Sequence, residues 1–409
     1  MQYRDQTLYV EEIPLADIAR REGTPCYVYS RASIFDRFQA YERAFADVPH
    51  KVCYAVKANS NLSILKLLAE AGAGFDIVSG GELFRALKAG ADPGTIIFSG
   101  VGKTSAEIDY ALEHHIHSFN CESEPELTLV DSLAARRGIQ ARVALRVNPD
   151  VDAATHPYTS TGLRDHKFGI DIADSEAIYQ RARALPNLLL EGVSCHIGSQ
   201  ITEIAPMLEV FDKMIALVER LRARGLPIRS LDLGGGLGVA YKPGDRAPSI
   251  CEFIQAMCRR TAGHGLEILV EPGRSIVAEA GVLLTRVLYR KSNGDRQFVI
   301  VDAAMNDLIR PALYQSHHEI VPLRKGPGGS ITADVVGPVC ESGDFLARAR
   351  EMPNALPGDL LAVCTAGAYG FVASSNYNSR PRPPEILVEG DRYRVIRKRE
   401  TYDDLVRGE

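Results

Sequence analysis

The sequence predicts an α/β fold, a TIM-type (β/α)8 barrel followed by a β-rich domain of barrel or sandwich form. Three observations predict it. Short apolar, β-branched runs recur eight times before residue 273. Amphipathic stretches with helical spacing separate most of them. After Gly273 the alternation stops, and strand-like runs follow one another with only turns between them. Eight strand–helix units in roughly 250 residues match a closed barrel in count and size. Alternation alone does not show closure, so an open doubly wound sheet is the competing architecture.

The eight runs are KVCYAV (51–56), GFDIVS (74–79), TIIFSG (95–100), HSFNCE (117–122), ARVALRVN (141–148), LEGVSCHIGS (190–199), RSLDLGGG (229–236) and EILVEPG (267–273). Leu62, Leu65, Leu67 and Leu68 mark one intervening helix, and Met207, Val210, Met214, Leu217, Val218 and Leu221 another. Gly, Pro and Asn punctuate the junctions. Beyond them GVLLTRVLYRK, RQFVIVDAAM, SITADVVGPV, DLLAVCTAGAYG, EILVEG and RYRVIRKRE read as strands, with turns such as SNGD, KGPGG and EGD between them. The N-terminal TLYVEEIPL is also strand-like and is expected to join the C-terminal sheet. The barrel is therefore assigned to 28–278 and the β-rich domain to 1–27 and 279–409.

Composition narrows the classes of function. A net charge of −5 with 45% hydrophobic residues argues against nucleic acid or an anionic membrane as the main partner. No apolar run approaches the roughly 20 residues a bilayer requires. The opening MQYRDQTLYVEEIPL has charges where an export signal needs an apolar stretch. A cytoplasmic location is expected, with the eight Cys as thiols. No C-x-x-C pair is present, and His114, His115 and His117 lack a Cys or acid to complete a tetrahedral set, so no metal is expected. RKRE near the C-terminus reads as a solvated strand face.

Chemistry in a barrel gathers at the C-terminal ends of its strands. There the sequence delivers Lys57, Asp76, Asn120, Asn148, His196, Gly234-Gly235-Gly236 and Glu271. Lys57 is either a solvated cation or a desolvated amine able to form a Schiff base. Three glycines after the seventh strand exceed what a turn requires and point to close approach of an anion, aided by a following helix start. They lack the G-x-G-x-x-G spacing of a dinucleotide site. Glu271, ending the eighth strand, needs a partner such as a protonated heteroaromatic nitrogen. His196 is either a satisfied core histidine or a flat ring stacked on a cofactor. A lysine, a phosphate loop, an acid and a stacking ring together suit pyridoxal 5′-phosphate.

YAVKAN, FDIVSGGE, KFGI, CHIGSQ, LDLGGGLG and EPGR resemble the alanine-racemase-like, fold type III decarboxylases that use pyridoxal 5′-phosphate. MNDLIRPALYQSHHEI, GPVCESGDFLA, AGAYGF and SNYNSRPRPPEILV carry the resemblance through to Val388 from about Thr24. The family often has Gly where Ala304 precedes Met305, a small departure. The resemblance implies a carboxy-lyase that converts meso-2,6-diaminopimelate to L-lysine and CO2, the last step of bacterial lysine synthesis. It implies that Lys57 binds the cofactor covalently, Glu271 meets the ring nitrogen, His196 stacks and Asp76 supports. Ser199, Gly235, Gly236 and the Gly273-Arg274 backbone would hold phosphate. Tyr369 would touch cofactor or substrate. Cys340 would be the general acid, donated across a homodimer interface with shared sites.

The substrate's non-reacting end carries a carboxylate and an ammonium. Arg274, Arg310 and Tyr314 suit the carboxylate, since guanidinium binds it in bidentate fashion, and Glu341 suits the ammonium. Ornithine, lacking that carboxylate, would leave buried charge unpaired, a mismatch of several kcal/mol. Ornithine decarboxylases typically carry Asp after the Cys, whereas Glu341 stands here. Two other readings stay open: a decarboxylase of ornithine, arginine or carboxynorspermidine, and a cofactor-binding regulatory protein without catalysis.

Overall fold

The computed structural model describes residues 1–151, 167–326 and 328–409. The chain divides into two units. The barrel unit comprises Arg37–Val239 and Arg246–Ser275, and the β-rich unit comprises Met1–Asp36, Ala240–Asp245 and Ile276–Glu409.

Each of the eight apolar runs becomes a parallel strand of the barrel: β1 His50–Ala55, β2 Gly74–Ile77, β3 Ile96–Phe98, β4 Ser118–Cys121, β5 Ala141–Asn148, β6 Leu188–Ser194, β7 Ser230–Asp232 and β8 Glu267–Val270. Each pairs with its sequence neighbour, and β8 returns to β1 through Ile268 on His50, Leu269 on Lys51 and Val270 on Val52. That last pairing closes the sheet and excludes the open alternative. Cys53, Ile97 and Leu269 form a buried cluster from β1, β3 and β8.

The helices between the strands start where the sequence supplies a cap. Ser79 accepts from the Glu82 amide, Ser123 from that of Glu126, and Thr104–Glu107 and Ser249–Glu252 form complete capping boxes. Each such cap contributes about 1 kcal/mol, and together they direct the chain from strand end into helix. The apolar spacings noted above become Leu62–Glu70 and Ile204–Ala223.

In the β-rich unit the long strand Gly281–Asn293 pairs antiparallel with Cys26–Ser30, Leu360–Val363 and Arg296–Val301. Ser330–Val336 and Phe345–Pro353 extend the sheet on one side, and Glu385–Glu389 and Arg392–Arg397 on the other. Four strands of this unit were not marked in the sequence: Gln2–Arg4, Cys26–Ser30, Ile320–Pro322 and Phe345–Pro353. Cys26–Ser30 is buried throughout. TLYVEEIPL instead folds mainly on its own, as part of a three-stranded sheet of Gln2–Arg4, Thr7–Val10 and Ile13–Pro14. It touches the C-terminal region through Thr7–Arg324 and the Leu8 amide on Leu323 O. Its Leu8 and Val10 share one apolar core with Val28, Val282, Leu323 and Ile386.

Candidate active site

The C-terminal ends of the barrel strands converge on a cup rich in carboxylates. Lys57 lies in a single 3-10 turn directly after β1, and its Nζ donates to Asp76 Oδ2 at 2.7 Å. Asp76, within β2, is completely buried, and its Oδ1 has no hydrogen-bond partner among the described residues. Glu271 and Asp232, at the ends of β8 and β7, are also buried. Asn120 Nδ2 bridges them, 2.8 Å from Asp232 Oδ2 and 3.2 Å from Glu271 Oε1. Ser99 Oγ stands 3.3 Å from the same Glu271 oxygen, and the Gly234 amide donates to Asp232 Oδ1 at 2.9 Å.

Three carboxyl groups are thus buried with one lysine. Burial holds Glu271 well above the usual carboxylate range, with Asp232 and Asp76 pushing further up and Lys57 opposing. Asp232 is raised as well, burial again being the main cause. A second cation placed here would relieve both. His196, half-buried after β6, has its proton affinity lowered well below the usual histidine range by desolvation, then by Arg146 and Lys57. Its Nδ1 accepts from the Gly235 amide at 3.2 Å, so the ring is the neutral tautomer with its proton on Nε2.

The glycine loop is closed to side chains at all three positions. A Cβ on Gly235 would stand 2.3 Å from Glu271 O, one on Gly234 2.6 Å from His196 Nδ1, and one on Gly236 2.7 Å from Gly198 O. Gly234 and Gly236 also have φ of +64° and +103°, which L side chains rarely adopt. The loop therefore packs backbone to backbone against the loops after β6 and β8. Arg274 Nη2 donates to Ser199 Oγ at 3.0 Å and ties those two loops together. The expected helix start is absent. After Gly236 the chain makes a single bridge, Leu237 to Ile201, and the next helix begins at Ile250. Pro243, Gly244 and Pro248 account for the delay, so backbone amides and side chains, not a helix dipole, serve this loop.

Sequence reasoning passed over Ser99, Asp232 and a buried ion pair, Arg146 Nη1 to Glu122 Oε1 at 3.1 Å. Glu122 Oε2 also accepts from the Gly169 amide, at 2.8 Å, and the Arg146 guanidinium lies over the Phe168 ring at 4.7 Å. A charged residue inside the buried run ARVALRVN was the available signal. Asn148 donates to Phe168 O.

Arg310, Tyr314, Cys340, Glu341 and Tyr369 belong to the β-rich unit. Arg310 opens the short helix Arg310–Tyr314 and is buried. Its Nη1 lies 2.8 Å from His318 Nε2, and its guanidinium covers the Tyr241 ring at 4.5 Å. Tyr314 is half-buried. Cys340 and Glu341 are exposed, on a loop stapled from both sides. Asp344 accepts from the Val339 and Met305 amides, each at 2.7 Å, and Asn378 Oδ1 accepts from the Cys340 amide at 2.8 Å. The nearby Glu341 carboxylate holds the Tyr377 hydroxyl above the usual tyrosine range. Tyr369 is half-buried with φ of +55°.

Residues 31–278 match the family model described as pyridoxal-dependent decarboxylase, pyridoxal binding domain. Diaminopimelate decarboxylase of Pseudomonas aeruginosa is 54% identical over 407 residues, covering 100% of this chain and 98% of its own. That of Vibrio cholerae is 52% identical, covering 98% and 96%. Among solved structures, diaminopimelate decarboxylase from Helicobacter pylori complexed with L-lysine superposes with a TM-score of 0.92 at 44% identity, covering 96% of this chain and 98% of that one. The chain belongs to the diaminopimelate decarboxylase family.

Members of this family are carboxy-lyases that depend on pyridoxal 5′-phosphate, and the cup fits that group on its own chemistry. It offers one amine, a carboxyl pair short of a cation, a neutral flat ring, and a loop of three glycines with no side chains, packed against the loops after β6 and β8. Among the described residues, no helix is long and apolar enough to cross a membrane.

Proposed function

We propose that this chain decarboxylates meso-2,6-diaminopimelate at its D centre to give L-lysine and CO2, using the residues assigned below. The observation that carries the proposal is the buried Asp232–Glu271 pair, held above its usual range in a cup whose single lysine is already paired with Asp76. When bound, pyridoxal 5′-phosphate supplies an aldehyde for the substrate's amine and a protonated ring that accepts the electron pair left by CO2.

The chain's own groups do the rest. Lys57 Nζ would hold the cofactor through its aldehyde, with Asp76 orienting that amine. Glu271 would accept a hydrogen bond from the cofactor's ring nitrogen and keep it protonated. Neutral His196 would pack against the ring without adding a competing positive charge. Ser199, the amides of Gly235 and Gly236, and the Gly273-Arg274 backbone take the phosphate, while Tyr369 touches cofactor or substrate. Arg274, Arg310 and Tyr314 bind the distal carboxylate, and Glu341 the distal ammonium. Cys340 delivers a proton to the carbon that CO2 has left.

In this reading the barrel spans 28–278, and the remainder, 1–27 and 279–409, completes the site. The enzyme is a cytoplasmic homodimer in which Cys340 serves the partner's site, consistent with its exposure on an anchored loop. The test is CO2 release from meso-diaminopimelate, ornithine and arginine. Turnover of diaminopimelate with lysine formation is expected. Turnover of ornithine without diaminopimelate would overturn the proposal.

A further inference from the structure

Arg310 is a long, flexible side chain with its charge out of solvent, and a fork that is to grip a planar carboxylate must be held at a fixed angle. Three neutral groups frame it. The Tyr241 ring lies under the guanidinium at 4.5 Å, Ser316 Oγ is 3.4 Å from Nη2, and His318 Nε2 is 2.8 Å from Nη1.

The contacts of His318 leave it one protonation state. Its ring is completely buried. Nδ1 lies 2.8 Å from the Cys364 carbonyl oxygen, which can only accept, so Nδ1 carries a hydrogen. Guanidinium can only donate, so Nε2 must present its lone pair. A doubly protonated ring would face a guanidinium N–H with an N–H of its own.

The backbone holds the ring as firmly. His318 O accepts from Arg350 Nη1 at 2.8 Å, the Cys364 amide donates to Glu319 O at 2.8 Å, and the following strand Ile320–Pro322 pairs with Leu360–Val363. Tyr241 meets the imidazole edge-on at 5.3 Å. The neighbours of His318 in the chain, His317 and Glu319, pair with each other at 3.1 Å on a more exposed side.

We propose that His318 is a positioning residue. Its neutral imidazole aims the Arg310 fork, and so sets the preference for ligands that carry a distal carboxylate over diamines that lack one. This rests on the reading above that Arg310 takes that carboxylate.

The test compares inhibition of the holoenzyme's CO2 release by L-lysine, which keeps the distal carboxylate, and by 1,5-diaminopentane, which lacks it. His318→Phe keeps a ring and removes the acceptor. It should weaken L-lysine roughly tenfold or more, the scale of a hydrogen bond to a charged group, and change the diamine less than about twofold. His318→Gln restores an acceptor and should recover most of the difference. His318→Met, apolar and flexible, carries the same expectation as Phe and serves if the ring does not fit. In an Arg310→Ala background, His318→Phe should add nothing to the ratio. Equal weakening of both ligands, or an effect persisting without Arg310, would overturn the proposal. If Arg310→Ala collapses the ratio and His318→Phe does not, the positioning role alone fails. If Arg310→Ala leaves the ratio unchanged, the assignment of Arg310 fails as well.

Discussion

Glu271→Gln should make the cofactor-free protein more stable and the holoenzyme less active, and the opposition of sign is the diagnostic feature. Without cofactor, burial and the neighbouring Asp232 and Asp76 raise Glu271 well above its ordinary 4.5, while Asp232 is raised above 3.8. For an acid whose value in the fold exceeds that in the unfolded chain, the unfolded state releases its proton first. The contribution to stability is then complete below about pH 4 and is lost as pH rises through the folded values. The glutamine cannot ionise, can still accept from Asn120 or Ser99, and leaves Asp232 with one fewer like charge beside it. The melting temperature of the cofactor-free variant should therefore fall less between pH 4 and pH 8 than that of the parent. Each kcal/mol corresponds to about 2–4 °C for a unit of this size. With cofactor the same change removes a charge-assisted hydrogen bond of about 1.5–3 kcal/mol, so kcat/KM should drop roughly ten- to 150-fold. Thermal melts across pH and steady-state CO2 release read the two arms. A cofactor-free variant as pH-sensitive as the parent, or one with undiminished turnover, would refute the argument.

Three further outcomes are expected. Lys57→Ala should lose the visible absorbance that the bound cofactor owes to this amine, checked by the spectrum of the purified protein. Gly235→Ala would set a Cβ 2.3 Å from Glu271 O, a clash on the scale of about 1–3 kcal/mol; cofactor occupancy, titrated by absorbance, should fall before the fold does. Cys340→Ala should bind cofactor normally and lose about 10²- to 10⁴-fold in kcat, the usual range for a lost proton donor. A fully active variant would remove Cys340 from the mechanism.

The barrel was legible because strands of a closed parallel sheet are buried on both faces and read as unbroken apolar runs. A polar residue at the end of such a run stands out, which is how Lys57, Asp76, His196 and Glu271 were found. Asp232 was hidden because LDLGGG reads first as a turn. Arg146 and Glu122 were hidden because their partner lies 24 residues away, where local pattern carries no signal. In the β-rich unit, FLARAREMP sets buried Leu346, Ala347 and Met352 among exposed Arg348 and Glu351 and half-buried Arg350, and so many charges masked a strand that its pairing with Ser330–Val336 reveals. The helix expected after the glycine loop was ruled out by prolines already visible in LGVAYKPGDRAPS.

The two sets of residues make opposite electrostatic demands, which predicts how their variants will separate. The barrel cup concentrates three buried carboxyls around one amine and is satisfied by a cationic ring. Arg310, framed by an imidazole lone pair, a phenol ring and a hydroxyl, is suited to an anion. Changes in the cup alter how well charge is accepted at the reacting carbon, and so should act on kcat and cofactor retention. With Arg310 on the distal carboxylate, as proposed above, changes around it would alter binding that is as strong before the reaction as during it. Such uniform binding shows in KM and in the choice of substrate while kcat is nearly untouched.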